Sequence, residues 1–126
     1  MAMRNLLLTF AFVAATLSVA RSAKADDANT RYGAIAWSPS TGATGAASHY
    51  LTKGLAVAAA ESNCGQADCA TQISGADDFP MAIAKDPSGS VYTNWGHTWP
   101  ELRDNLLADC QAYSGRTCRI VQALPL

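Results

Sequence analysis

Four cysteines and two histidines are the side chains in this 126-residue sequence best suited to chemistry. Zinc would require ligand spacing such as Cys-x2-Cys or His-x3-His. The chain offers Cys64-x4-Cys69 and Cys110-x7-Cys118, which match neither pattern nor each other. Redox exchange would want Cys-x-x-Cys beside a group that stabilises thiolate, and hydrolysis by serine a Gly-x-Ser-x-Gly elbow; neither motif occurs. His49, His97, Ser74, Ser114 and several aspartates can be drawn as a triad on paper, as in any chain of this size, and both histidines read as polar loop or strand-end residues. Paired carboxylates could serve glycoside hydrolysis. Asp77-Asp78, close to Gly75, reads instead as a solvated linker, Glu101 as a helix cap, and Glu61 and Asp104 as exposed helix positions. No catalytic residue, metal ligand or cofactor is therefore assigned.

Recognition remains. Tyr92, Trp95, His97 and Trp99 crowd one short segment, and Trp and Tyr are frequent at binding hot spots. Tyr92, Trp95 and His97 form the candidate recognition patch; the competing reading packs Trp95 into a sheet and Trp99 under a helix.

Residues 1–25 read as a cleavable signal peptide. Arg4 supplies the positive n-region, Leu6 to Ala20 the apolar stretch, and Ala23-Lys24-Ala25 the small-x-small cleavage site. The apolar run is about 15 residues, short of the roughly 20 that span hydrocarbon. The expected mature chain keeps six Lys+Arg against ten Asp+Glu, a formal charge of −4. That balance argues against nucleic acid, which requires a cationic face, and against anionic membrane surfaces. No second apolar run is long enough to span a bilayer, so a soluble product is expected. Four cysteines, an even number in an exported chain, read as disulfides.

The elements that position these residues come in duplicate. GAIAWSPSTG at 33–42 and MAIAKDPSG at 81–89 share Ala-Ile-Ala, Pro-Ser and Gly, and each leads through aromatics to a helical stretch, a cysteine, a loop and a second cysteine. Cys64 and Cys110 lie 46 positions apart, Cys69 and Cys118 49. Such self-similarity marks a repeat. Each unit reads as β-β-α-β: the Pro-Ser turns join hairpin strands, and Thr98 with Glu101 and Pro100 has capping-box spacing. Thr52 is the weaker cap of the first helix. Trp99, Leu102, Leu106 and Cys110 make one helical face, and Leu51, Leu55, Ala58 and Ser62 a diluted counterpart. The last strands fall at about 70–74 and 119–124. After a flexible 26–31, the expectation is one small α+β domain over 32–126. Its repeats, about 32–75 and 79–124, would pack with pseudo-two-fold symmetry on a shared core. Four cysteines allow three connectivities; the duplication favours Cys64–Cys69 and Cys110–Cys118, each clamping a helix-to-strand turn.

Tyr32-Gly33-Ala34-Ile35-Ala36, the Pro39-Ser40-Thr41-Gly42 turn, Asn63-Cys64-Gly65 and Asp68-Cys69 resemble the bacterial domain of unknown function 4189 family. Trp95-Gly96 and Cys110 to Cys118 support the resemblance in the second repeat, and it spans about 31–124. It implies an exported bacterial protein, periplasmic or secreted, and no established reaction. Members commonly carry two further cysteines, where this chain has the Phe79-Pro80-Met81 and Ala123-Leu124 regions; their joint absence implies a lost bridge that would have pinned the repeats together. The function expected is a non-catalytic module that binds another protein, with an inhibitor or a host-facing factor as the roles considered. An envelope-associated structural protein and an unrecognised small hydrolase are the alternatives.

Overall fold

Alanine at alternate positions of the two Ala-Ile-Ala strands sets the architecture, because it lets a helix approach each sheet closely. The computed structural model describes residues 29–125. The signal peptide read at 1–25 lies outside the described residues, as do positions 26–28 of the expected flexible segment; Arg31, at its end, accepts a backbone hydrogen bond from Asp77 N–H at 2.9 Å. The elements run β1 (Tyr32–Trp37), β2 (Thr44–Tyr50), α1 (Lys53–Cys64), β3 (Ala70–Ala76). The order then repeats as β4 (Met81–Lys85), β5 (Val91–Trp95), α2 (Trp99–Ser114), β6 (Arg119–Leu124). They form two antiparallel sheets, ordered β2-β1-β3 and β5-β4-β6. The register slips between Ile35 and Ala36 in one and between Ile83 and Ala84 in the other, the same point of the repeated motif.

Strand periodicity divides the side chains between two faces. Ala34, Ala36 and Ala47 face α1, packing on Ala56, Ala60 and Cys64. Ala82 and Ala84 face α2, against Leu102 and Leu106. The opposite faces meet through Ile35, Met81, Ile83 and Leu124. The order of layers is helix, sheet, sheet, helix, and neither unit has its whole core to itself. Each fully buried isoleucine contributes about 1.5–3 kcal/mol.

Close packing explains one departure from the expected pattern. The stripe Leu51, Leu55, Ala58, Ser62 is not the buried face of α1: Leu51 and Leu55 are exposed, and Ala56, Ala60 and Cys64 are buried. The helix lies directly on Gly45, where a Cβ would fall inside the backbone of Ala60 and Cys64. Only small residues fit at that separation. The second helix stands further off and buries Leu102, Leu106 and Cys110.

Both helices are capped as their sequences suggest. Thr52 Oγ1 accepts from Leu55 N–H, and Thr98 Oγ1 from Glu101 N–H. Gly65 and Gly115 close them in the left-handed conformation, φ 76° and 70°, which glycine adopts without a Cβ penalty. Bridges join Cys64 to Cys69 and Cys110 to Cys118, tying each helix end to the strand that follows.

The turns after β1 and β4 satisfy the same need differently. The buried Ser38 hydroxyl donates to Asp68 Oδ1 at 2.5 Å and accepts from Thr41. In the second unit the buried Asp86 supplies the carboxylate itself, accepting from Ser88 N–H, Ser88 Oγ and Ser90 N–H. Hydrogen bonds to the ionised form favour it. The Ser38 and then Ser40 contacts hold Asp68 below its ordinary pKa of 3.8, and Ser88 does the same for Asp86 against its burial.

Candidate functional site

Trp95 ends β5 opposite Met81, the first residue of β4, so the hairpin register sets it beside the segment leading into β4. Phe79 lies there. Its ring centroid is 5.8 Å from that of Trp95 and 5.0 Å from that of His97, and Trp95 and His97 are 5.7 Å apart, both contacts with His97 being edge-on. Edge-on and tilted arrangements are those the ring quadrupoles favour. The cluster is nonetheless open to solvent, with Phe79 40% and Trp95 55% exposed.

Backbone constraints hold the three rings in place. Gly96 N–H donates to Pro80 O at 3.1 Å. A Cβ on Gly96 would sit 3.2 Å from Leu102 Cα, so the chain turns from β5 into α2 with little room. His97 N–H donates to Glu101 Oε1 at 2.9 Å; the carboxylate expected to complete the cap reaches instead to the residue before Thr98 and fixes the backbone of the histidine. Below the rings, toward β3, lies an apolar recess of about 210 Å³ whose lining includes Ile73, Gly75, Met81, Phe79 and Trp95.

Of the three residues predicted as a patch, Trp95 and His97 come together and Tyr92 does not. Tyr92 is three positions before Trp95 on the same strand, and an odd separation puts it on the opposite face. There it packs on the Leu102–Leu106 cluster and stacks on Tyr113, centroids 6.4 Å apart at 19°. Trp99 is neither under its helix nor in the cluster; it is 38% exposed and lines a separate groove along β6. Phe79 completes the trio and went unread because it falls in what looks like a linker. Its signal was the hairpin register, which carries the end of β5 to the start of β4.

The carboxylates also differ from expectation. Asp77 is no solvated linker: its side chain is 10% exposed, accepts from His49 N–H at 2.6 Å, and lies 3.5 Å from His49 Nδ1. His49 adopts φ 68°, a conformation uncommon outside glycine, and the Asp77 contact steadies it. The His49 ring is 81% exposed. Glu61 is half-buried and accepts from Thr71 N–H and Oγ1 at 3.0 and 2.9 Å, joining α1 to β3. Asp104 is exposed, beside Arg103.

Both disulfides lie at the far end of the sheets from the aromatic cluster: Cys69 precedes Ala70, which pairs with Trp37, and Cys118 precedes Arg119, which pairs with Lys85. Bridges of this kind persist in oxidising compartments, and they suggest an extracytoplasmic location. Among the described residues, no helix is long and apolar enough to cross a membrane. The two regions where the resemblance implied further cysteines also take a definite place. Met81 pairs directly with Leu124, both within the second unit. A bridge there would join β4 to β6 and would not pin one repeat to the other.

This arrangement of two β-β-α-β units defines the class. Residues 32–124 match the family described as "Domain of unknown function (DUF4189)", and the chain belongs to that family. A similar solved structure is the NMR structure of Rv1813c from Mycobacterium tuberculosis. It has 22% identity, a TM-score of 0.56 and coverage of 97% of both chains, a likeness of fold. No curated protein matches the chain.

Proposed function

We propose that this protein is an exported, non-catalytic interaction module, directed across the membrane by residues 1–25, and that it contacts a protein partner through the Phe79–Trp95–His97 edge. One observation carries the reading: three aromatic rings held by backbone constraints remain exposed, and two of them, Phe79 and Trp95, line an apolar recess. Burial would be the default for such rings, and exposed aromatics over a recess resemble the anchors of binding interfaces. The test is affinity capture by the oxidised protein from envelope and culture-medium fractions. A stoichiometric partner retained by wild type and by Tyr92→Ala, and lost on Trp95→Ala with the fold intact, is expected. A partner indifferent to Trp95→Ala, or none at all, would contradict the proposal.

A further inference from the structure

The outer edge of β3 borders the same recess. Among the described residues β3 pairs with β1 alone, so alternate N–H and C=O groups on its other side face outward. Sheet edges are commonly blunted by charge or proline. Residues 70–76, ATQISGA, contain neither. Glu61 occupies the first end through Thr71, whereas Ile73 to Ala76 line the recess. A Cβ placed on Gly75 would have no atom within 4 Å; the face of the strand that lines the recess is unfilled there.

We propose that an extended segment of the partner adds to β3 as a further strand, with an apolar side chain in the recess and a basic residue next to it. Strand addition takes affinity from main-chain hydrogen bonds and selectivity from pockets for alternate side chains. The recess supplies such a pocket, with Ile73 and Met81 below Phe79 and Trp95. The charge preference comes from the surroundings: among the described residues no Lys or Arg lines the recess, Asp78 adjoins Phe79 in sequence, and the Glu101 carboxylate accepts from His97 N–H. The exposed face of Trp95 adds attraction for a cation. This inference rests on the aromatic-edge reading and specifies how that edge is used.

A displayed library of random heptapeptides, selected on the oxidised mature protein, tests it. Enriched sequences should alternate apolar residues with Lys or Arg. Synthetic copies should bind at least ten-fold more weakly to Gly75→Val, whose side chain enters the recess, and at least ten-fold more weakly when alternate amides are N-methylated or Lys is exchanged for Glu. Thermal melting checks that Gly75→Val is folded. Failure to enrich above Gly75→Val, selection of acidic sequences, or a dimer in sedimentation that Gly75→Val abolishes would overturn strand addition by a partner. Peptides indifferent to Gly75→Val and N-methylation but lost on Trp95→Ala would overturn strand addition and leave the aromatic-edge reading standing. Peptides indifferent to Trp95→Ala as well would count against both.

Discussion

Ser38 is small, polar and completely buried, and its hydroxyl organises a turn by engaging a carboxylate thirty positions away. The bond leaves a measurable trace in pH dependence. Folding lowers the pKa of Asp68, through Ser38 first, and that of Asp86, through Ser88. A group with a depressed folded pKa contributes stability above its unfolded value and loses that contribution as pH falls through the folded value. Melting temperature should therefore be level from pH 7 to about 5 and drop below about pH 4, near the ordinary carboxylate range. Calorimetry across this window checks it, and Asp68→Asn should flatten part of the drop. Ser38→Ala and Asp68→Asn should each destabilise, and the double variant should lose less than their sum, because they share one contact.

At the scale of elements, two glycines on strands have opposite roles. Gly45→Ala would press a methyl into the backbone of α1 and should lower the melting temperature markedly, whereas Gly75→Ala, with open space and strand geometry, should be neutral or slightly stabilising. Chemical denaturation of the two variants makes the comparison. Loss of the Thr98 cap by Thr98→Ala should cost about 1 kcal/mol, a fall of roughly 4–8 °C for a domain of this size. Much of this level was legible in the sequence, because strands, turns and caps are encoded by local chemistry: Pro-Ser turns, Thr before Glu, Gly at helix ends. The face of α1 was not. Its periodic leucines point outward, and the alanines that do pack are chosen by the nearness of Gly45, a tertiary fact. Phe79 escaped for a similar reason, since only the pairing of Met81 with Trp95 reveals its neighbours.

Across the whole molecule, the interface of the two sheets joins the units. Ile83 is fully buried there beside Ile35 and Leu124, and Ile83→Ala should cost about 2–5 kcal/mol in a single cooperative transition, because both units lose the shared core. The facing pair Met81 and Leu124 invites a converse experiment. Met81→Cys with Leu124→Cys should oxidise to a third bridge within the second unit; the chain-entropy estimate for so long a loop is about 4 kcal/mol, and peptide mapping with melting curves reads both outcomes. The duplication that announced the fold also hid the difference between its halves. Only the second unit carries the aromatic cluster, and the first contributes β3 along the recess.

The proposed meeting point with the partner is the edge formed by Phe79, Trp95 and His97. Its most direct test is an NMR titration of isotope-labelled protein with the captured partner, following the indole N–H signals of the three tryptophans. Trp37 Nε1 is buried, and Trp99 lines a different groove, so each signal reports a different place. The Trp95 signal is expected to shift or broaden, together with the backbone amides of residues 73–79 and 96–97, while those of Trp37 and Trp99 hold. Changes centred on Trp99 or on Tyr92 and Tyr113, with Trp95 unmoved, would contradict it.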